Sequence, residues 1–355
     1  MATEIFEYKQ PFTLENGIVL SGYHLAYTTL GKLNARKDNV VWVFHALTAN
    51  SNPADWWPGL VGESRFFDPA KYFIICVNMP GSCYGSIGPL EINPQTGERW
   101  YHSFPLFTTR DMVRAYKPLK DFLGIEKIYI GIGGSMGGQQ LLEWAVEEPQ
   151  LFDHIVALAT NAQHSPWGIA LNASQRICIE TDATWQTNTQ EAGINGMKAA
   201  RSVALLSYRN YDTYNLTQPR DKKTAWPVSH NFGGEAAESY QRYQGEKLAN
   251  RFNAFSYYRL GQGMDAHDLG RGRGSVEEAL RRITAKALVI GITSDLLFPP
   301  EEQVRIADGI PGAIYQLIES LYGHDGFLLE YEKIEQALRH FIREDVLSYL
   351  KIINR

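Results

Sequence analysis

The sequence predicts a doubly wound, mostly parallel α/β sheet with a helical segment inserted late in the chain. Three observations carry this prediction: apolar runs with the length of buried strands, helical patterns between several of them, and a break in that alternation from residue 164 to residue 283. Strands covered by helices on both faces read as continuous apolar runs. We therefore expect a core formed by residues 1–163 and 284–355 and a helical lid formed by residues 164–283.

The predicted elements follow one another along the chain. The first 35 or so residues predict a hairpin, because Asn16-Gly17 separates two β-prone runs. In TTRDMVRAYKPLKDFLG, Thr108 and Asp111 have the spacing of a helix N-terminal cap. Further helices are predicted by MGGQQLLEWAVEEP and PPEEQVRIADG. The strands are predicted by NVVWVFHAL, KYFIICVNM, KIYIGIG, HIVALATNA, KALVIGITSD and AIYQLIES.

The inserted region contains amphipathic helical patterns such as MKAARSVALLSYR and SYQRYQGEKLANRFNAFSYYRLGQGM. Strand character returns only at AKALVIGI. Within the region, the Gly-Arg run of GRGRGSVEEALRRI is compatible with phosphate or RNA binding. The preferred interpretation is a solvent-exposed loop that leads into a helix.

Composition limits the partners of the chain. Its 355 residues carry a net charge of −5 at pH 7, which gives no electrostatic case for nucleic acid or an anionic membrane surface. Cys76, Cys83 and Cys178 match neither a zinc pattern nor a CxxC pair, so we expect a reducing compartment. No apolar run approaches the roughly 18 residues of a membrane span, and MATEIFEYKQ does not resemble a signal peptide. We therefore expect a cytoplasmic protein.

A serine among glycines is the strongest functional signal. Gly133-Gly134-Ser135-Met136-Gly137 satisfies G-x-S-x-G between a predicted strand and a predicted helix, as in a nucleophile elbow. Glycines two residues before and after the serine allow a turn so sharp that side chains there would clash with the strand and helix. A Walker A loop is excluded because no Lys follows, and a dinucleotide fingerprint fails at Met136.

The elbow requires an acid and a histidine later in the chain. Asp295 ends the strand pattern KALVIGITSD, and His324 lies in a loop between the last predicted strand and a helix. Both positions fall at the sheet edge where the elbow opens. His45 precedes the serine, and His340 lies on a predicted helix, so both compete less well.

These residue types suit acyl transfer. A neutral imidazole can take the serine proton, and an aspartate fixes its tautomer. The tetrahedral intermediate needs two N–H donors. We expect one from Met136 and one from the HALT segment after the strand VVWVF.

Several segments together resemble the homoserine O-acetyltransferases of the α/β-hydrolase fold. They occur in collinear order over nearly the whole chain: HALTANS, DWWPGLVG, YFIICVNMPGSCYGSIGP, GGSMGGQQLLEWA, AARSVALLSYR, YQRYQGEKLANRFNAFSY and YGHDGFLLE. The resemblance implies an α/β-hydrolase core with a helical lid, and a homodimer through that lid. It also implies acetyl transfer from the co-substrate acetyl-CoA to L-homoserine, a step toward methionine, without a metal or bound cofactor.

The resemblance also implies roles for individual residues. The nucleophile, acid and base fall on Ser135, Asp295 and His324, and the oxyanion donors fall on the backbones of Leu47 and Met136. Substrate binding falls on Arg201 and Asp325. A guanidinium suits the carboxylate of an amino-acid acceptor and a carboxylate suits its ammonium, with Arg209 as a rival of Arg201.

The resemblance leaves some alternatives open. The chain has Gly62-Glu63-Ser64 where family members often have Gly-Pro-Gly, and Arg65 follows as a cation that a succinyl donor would need. A homoserine or serine O-succinyltransferase is therefore one alternative. A serine esterase or thioesterase of the same fold, with water as acceptor, is another. A non-catalytic ligand receptor ranks last, since the triad types are all present.

Overall fold

The protein is described here by a computed structural model that covers residues 3–220 and 235–353. The strands of this part are β1 (Glu4–Tyr8), β2 (Phe12–Thr13), β3 (Val19–Leu20), β4 (Tyr23–Leu30), β5 (Val40–Phe44), β6 (Phe73–Val77), β7 (Ile128–Gly134), β8 (Phe152–Leu158), β9 (Lys286–Ile292) and β10 (Ile314–Ile318). The helices are α1 (Pro53–Trp56), α2 (Thr109–Phe122), α3 (Met136–Glu147), α4 (Pro166–Glu180), α5 (Ile194–Tyr208), α6 (Tyr211–Thr217), α7 (Ala236–Ala249), α8 (Ala254–Asp265), α9 (Val276–Leu280), α10 (Pro300–Gly309), α11 (Gly326–Leu329) and α12 (Tyr331–Ile353).

Eight of the strands form one sheet in the order β1-β4-β6-β5-β7-β8-β9-β10. β1 and β4 pair antiparallel, β4 pairs antiparallel with β6, and the remaining neighbours are parallel. The register aligns Val43, Ile132, Val156 and Leu288 across four strands, and all four are buried. The predicted doubly wound, mostly parallel sheet is confirmed.

The two faces of the sheet are buried because successive side chains of a strand point to opposite sides. In β5, Trp42 belongs to the core cluster on one face and Val43 to the cluster on the other. Trp42 packs edge-on against Trp144 of α3, with ring centroids 4.9 Å apart. The opposite face is closed by Trp57 and by α12 residues such as Leu338. Burial on both faces explains why these strands read as unbroken apolar runs.

Two local predictions are also confirmed. β2 and β3 form the expected antiparallel hairpin, and Gly17 takes a φ of 85° in its turn. Thr108 Oγ1 accepts a hydrogen bond from the Asp111 N–H at 3.1 Å, and Asp111 Oδ2 accepts one from the Thr108 N–H at 3.0 Å. This reciprocal pair caps α2.

The described residues between β8 and β9 form the helices α4 to α9. The pattern of residues 239–264 is interrupted, since α7 ends at Ala249 and the Asn253 side chain caps α8 by accepting the Ser256 N–H at 2.8 Å. The division into a core and a lid at residues 164 and 283 stays a prediction. No helix in the described ranges is long and apolar enough to cross a membrane.

The Gly-Arg run within this region differs from the prediction of a solvent-exposed loop. Arg273 has a side chain only 9% exposed, and it forms an ion pair with Glu143 of α3. Arg271 pairs with Glu15 at 2.8 Å. The expected helix follows as α9, and Ser275 caps it. The run therefore ties the end of the helical region to the core, because its partners are the buried Glu143 and the half-buried Glu15 of the core.

Candidate active site

Ser135 is the single residue between β7 and α3, and its backbone conformation is strained. Its φ is 57° and its ψ is −129°, a combination that a residue with a side chain rarely adopts. The Ser135 N–H donates to the Leu158 carbonyl at 3.0 Å, and Thr160 Oγ1 donates to the Ser135 carbonyl at 2.7 Å. These hydrogen bonds from the neighbouring strand and its loop hold the turn.

The glycines around Ser135 are required by close contacts. A Cβ at Gly133 would lie 2.5 Å from the backbone of Gly137, and a Cβ at Gly137 would overlap the carbonyl oxygen of Phe44. Backbone atoms cannot move aside as the end of a flexible side chain can. The predicted elbow geometry is therefore present, since strand and helix pack together only without side chains at these two positions.

Asp295 and His324 form a buried pair at the same edge of the sheet. His324 Nδ1 lies 2.7 Å from Asp295 Oδ2, and both residues are 3% exposed. Asp295 Oδ1 accepts the N–H groups of Leu297 and Phe298 at 2.8 and 2.9 Å. One carboxylate oxygen is thus fixed by backbone, and the other holds the proton on Nδ1, which leaves Nε2 as the basic nitrogen.

Residues 323–325 form a turn that carries His324, called the His324 turn below, and Phe327 packs it against the elbow. A Cβ at Gly134, directly before Ser135, would overlap the Phe327 ring, whose centroid lies 5.2 Å from that of His324. Trp57 Nε1 donates to the Phe327 carbonyl at 2.9 Å and anchors this residue. Ser135, Asp295 and His324 therefore follow β7, β9 and β10 and converge on one edge, as their order in the chain predicts.

Neither competing histidine replaces His324, since His45 is held by other contacts and His340 lies on α12. His45 Nδ1 lies 2.9 Å from the Ala46 carbonyl, and Nε2 accepts the Met79 N–H at 3.1 Å. Burial lowers the pKa of His45 to about 4 and keeps it neutral. His340 is exposed on α12. His45 therefore fastens two loops together, with neither nitrogen available as a base.

The two expected oxyanion donors lie on segments that are tied to each other. Neither the Leu47 nor the Met136 N–H donates to an acceptor within residues 3–220 and 235–353. Gln140 Nε2, one turn along α3, donates to the Met136 carbonyl at 3.1 Å and contacts the His45 carbonyl at 3.5 Å. The loop after β5 is thereby fastened to the first turn of α3, where free N–H groups and a positive dipole end favour an anion.

The arginines of α5 reach the His324 turn by different routes. Arg209, just after the helix, pairs with Asp325 at 2.9 Å, and each side chain is 19% exposed. Arg201 lies over the Tyr208 ring at 5.1 Å, and the Tyr208 ring lies 5.7 Å from that of His324. Among the described residues, no carboxylate forms an ion pair with Arg201. The charge of Arg201 thus stays without a carboxylate partner on the far side of Tyr208 from His324, while that of Arg209 is balanced by Asp325.

Sequence reasoning missed Tyr208, which separates Arg201 from the base. A signal was present in the spacing, because residues 201 and 208 are about two helical turns apart and lie on one face of α5. Burial raises the pKa of Tyr208, so its hydroxyl stays protonated. The pairing of Arg209 with Asp325 was also missed, since no local pattern reports a contact between such distant residues.

The structure offers no support for Arg65 as the cation of a succinyl donor. Arg65 is exposed, and Phe66 beside it packs under the Arg339 guanidinium at 5.5 Å. Arg339 lies eight residues into α12, about 12 Å from the start of that helix near the His324 turn. Phe66, directly after Arg65, is therefore anchored on α12, and the Arg65 side chain is open to solvent.

Comparison with known proteins agrees with the fold and the site geometry. The family model described as alpha/beta hydrolase fold matches residues 39–331. A crystal structure of a homoserine O-acetyltransferase from Bacillus anthracis superposes with a TM-score of 0.88 at 26% identity and covers 96% of this chain and 97% of its own. The crystal structure of esterase E22 has a TM-score of 0.87 at 23% identity, which is a likeness of fold alone.

Curated sequences provide the finer assignment. A homoserine O-acetyltransferase from Cyclobacterium marinum is 47% identical over 347 residues, which are 97% of this chain and 96% of that protein. One from Chlorobaculum parvum is 41% identical over 350 residues, 98% and 96% of the two chains. Similarity of this extent covers the core and the helical region alike. The chain therefore belongs to the homoserine O-acetyltransferase family of the α/β-hydrolase fold.

Proposed function

We propose that this chain is an acyltransferase that moves an acetyl group from acetyl-CoA to the hydroxyl of L-homoserine through an acyl-Ser135 intermediate. The observation that carries the proposal is the His324–Asp295 pair, 2.7 Å apart, packed through Phe327 against the Ser135 elbow. Identity of 47% to a curated homoserine O-acetyltransferase supports the choice of acceptor and donor. The product would enter methionine biosynthesis.

In the first half-reaction, His324 Nε2 takes the proton of Ser135 as the serine oxygen attacks the thioester carbonyl. Asp295 stabilises the imidazolium through Nδ1. The Leu47 and Met136 N–H groups, which donate to no acceptor among the described residues, would hold the oxyanion. When the tetrahedral intermediate collapses, the C–S bond breaks and His324 returns its proton to the CoA sulfur. Acetyl-Ser135 and free CoA result.

In the second half-reaction, His324 takes the proton of the homoserine hydroxyl, whose oxygen attacks the acetyl-serine. Collapse of this intermediate returns the proton to Ser135 and releases O-acetylhomoserine. We propose that Arg201 binds the homoserine carboxylate, because its guanidinium forms no ion pair with a described residue. Asp325 would bind the ammonium through Oδ1, since Arg209 holds Oδ2.

A burst experiment tests the acyl-serine route. Mixing the enzyme with acetyl-CoA alone should release about one CoA per active site, and intact-mass analysis followed by peptide mapping should locate one acetyl group on Ser135. Homoserine should then discharge it. Continuous CoA release without homoserine would instead favour a thioesterase. Intersecting double-reciprocal lines with no acetylated serine would contradict the covalent route.

The choice of donor and acceptor is tested by steady-state assays. Acetyl-CoA and succinyl-CoA are each combined with homoserine, with serine and with water. We expect acetyl-CoA with homoserine to have the highest kcat/KM, because the relatives at 47% and 41% identity are homoserine O-acetyltransferases. A higher kcat/KM with succinyl-CoA would keep the mechanism and overturn the donor.

We also propose a homodimer through the lid helices. Several large apolar side chains on these helices are 56–81% exposed, which favours burial against a second copy: Ile177, Leu206, Tyr211, Leu216 and Tyr243. Light scattering coupled to gel filtration should give twice the chain mass of 40.1 kDa.

A cytoplasmic location is proposed from the unpaired cysteines 76, 83 and 178, which fit a reducing compartment.

A further inference from the structure

Arg251 lies in the short segment between α7 and α8, and its guanidinium reaches two loops of the sheet core. Nη1 donates to the Thr48 carbonyl at 2.5 Å and to the Tyr84 hydroxyl at 2.5 Å, and Nη2 lies 3.5 Å from Thr48 Oγ1. The Arg251 carbonyl accepts the Cys83 thiol at 3.4 Å. One residue of the helical region thus joins the loop after β5 to the loop after β6.

These contacts use the donors of Arg251 without neutralising its charge. Arg251 is exposed, and no carboxylate within the described ranges forms an ion pair with it. Burial raises the pKa of Tyr84 and of Cys83, so the phenol and the thiol stay protonated. A protonated phenol keeps lone pairs on its oxygen and can accept from the guanidinium. The Tyr84 ring also packs against Phe252, with centroids 5.7 Å apart.

The Thr48 carbonyl belongs to the turn that carries Leu47. The Ala49 N–H donates to the Ala46 carbonyl at 3.0 Å, which closes a tight turn over residues 46–49. The Ala46 carbonyl is also held by His45. Because the peptide planes of a closed turn move together, a hydrogen bond that fixes the Thr48 carbonyl also fixes the direction of the Leu47 N–H.

We propose that Arg251 is a positioning residue that orients the Leu47 N–H toward the acyl oxyanion, so that the helical region completes an oxyanion hole otherwise built by the core. This inference rests on the proposed function, in which Leu47 and Met136 are the two donors. Met136 is positioned by the elbow and by Gln140 Nε2, which donates to its carbonyl. The turn of Leu47 is held through His45 at Ala46, and Arg251 adds a support at Thr48, on the other side of Leu47.

The competing role for an exposed arginine near the site is binding of the phosphates of acetyl-CoA. The two roles differ in what they affect. A positioning residue acts on both half-reactions and on any acyl donor, since each passes through a tetrahedral intermediate at the same hole. A phosphate ligand acts on the affinity for acetyl-CoA and has no effect on a donor that lacks phosphates.

The test compares Arg251→Gln and Arg251→Lys with the control Arg242→Gln. Arg242 lies on α7 and forms an exposed ion pair with Glu238. Donors are acetyl-CoA and the phosphate-free thioester S-acetyl-N-acetylcysteamine. We expect Arg251→Gln to lower kcat by about 10- to 100-fold with both donors and to leave both KM values within about twofold. Arg251→Lys should recover part of the rate, and Arg242→Gln should match the parent.

A further variant, Tyr84→Phe, removes one acceptor of Arg251 while it keeps the ring against Phe252. It should lower kcat by a few-fold, and it keeps the test open if Arg251→Gln unfolds. A parental kcat in Arg251→Gln, or a loss confined to the KM for acetyl-CoA, would overturn the inference. Ser135→Ala separates this inference from the proposed function. If Ser135→Ala stays active, the acyl-serine function fails. If Ser135→Ala is inactive and Arg251→Gln is fully active, only the positioning role of Arg251 is contradicted.

Discussion

The two sides of the site are held in place by different forces. Around Ser135 the turn is held by close steric contacts: Gly133 lies against Gly137, Gly137 against the Phe44 carbonyl, and Gly134 against the Phe327 ring. On the helical side the contacts are made by charges, with Arg209 paired to Asp325 and Arg251 bound to the Thr48 carbonyl. The elbow is therefore held rigid by steric contacts. The helical side is held by hydrogen bonds and ion pairs, which water and salt can weaken.

This difference assigns separate tasks to the two regions. Backbone sterics fix a nucleophile and an N–H donor without side-chain entropy to lose, which suits the acyl chemistry common to both half-reactions. The charges of Arg201 and Asp325 suit the ends of a zwitterionic acceptor, which enters in the second half-reaction alone, whereas Arg251 is proposed to support an oxyanion donor in both. Substitutions at the elbow should therefore affect acylation, and substitutions around Asp325 should affect the use of homoserine.

The largest effect is expected from Ser135→Ala. Removal of the nucleophile should lower kcat by about 10⁵- to 10⁶-fold, with a residual rate from the oxyanion donors and binding. The fold should persist, because the strained turn is held by hydrogen bonds to the Ser135 backbone rather than to its hydroxyl. Circular dichroism and steady-state kinetics measure both. Turnover near that of the parent would remove the serine mechanism.

A smaller but still large effect is expected from Gly137→Ala. The added methyl would overlap the Phe44 carbonyl, and we expect a loss of about 3 kcal/mol in the free energy of unfolding. The matched control is Gly261→Ala in α8, whose Cβ would meet only Arg176 Nη1 at 3.8 Å. Loss of a flexible glycine there should stabilise by about 0.5–1 kcal/mol. Equal effects in urea unfolding would contradict the steric account of the elbow.

Asp325→Asn should weaken the use of homoserine and spare acylation. Loss of one charged partner costs about 1.5–3 kcal/mol, or about 10- to 150-fold in kcat/KM for homoserine. The burst of CoA release should keep its parental rate.

Arg201→Gln should raise the homoserine KM more than Arg209→Gln does, because Arg209 is already paired with Asp325. The reverse order would exchange the roles of the two arginines, and a slowed burst would break the division of tasks.

The difference between the elbow and the helical side also explains which features could be predicted from sequence. The strands β5 to β9 and the Ser135 turn depend on local patterns, namely continuous burial and the exclusion of side chains beside the nucleophile. The Thr108 cap of α2 is local as well. The contacts of Arg209 with Asp325, of Arg251 with Thr48 and of Arg273 with Glu143 join residues more than a hundred positions apart. No periodicity reports such pairs, so the Gly-Arg run was predicted to be exposed.

The smallest expected effect is a loss of folding stability at low pH. It distinguishes the neutral contacts of His45 from the charged pairs of Glu15. His45 holds the loop after β5 as a neutral imidazole, and burial lowers its pKa from 6.5 to about 4. The unfolded chain therefore binds a proton at a pH where the folded chain does not, so stability is complete above pH 6.5 and is lost as the pH falls toward 4. Charged pairs behave differently: burial opposes ionisation of Glu15, but Thr108, Arg110 and Arg271 outweigh it and lower its pKa. Stability from Glu15 is complete above the ordinary carboxyl pKa of 4.5 and is lost as the pH falls from there through the lowered pKa of the folded chain.

Urea unfolding at a series of pH values tests this ordering. Between about pH 7 and about pH 5.5, we expect His45 to account for a loss on the order of 1 kcal/mol, with a net uptake of protons on unfolding. His45→Gln should flatten this part of the profile, because glutamine does not titrate, at the expense of lower stability at pH 7. The Glu15 pairs should add their loss at lower pH, and 0.5 M salt should reduce that second step more than the first, since buried neutral imidazole is not screened. A profile that is flat down to about pH 5 in the parent would show that the loop after β5 tolerates a charged His45. The core would then not depend on the neutral contact with Met79, and the contrast between its neutral packing and the charged helical side would be lost at that loop.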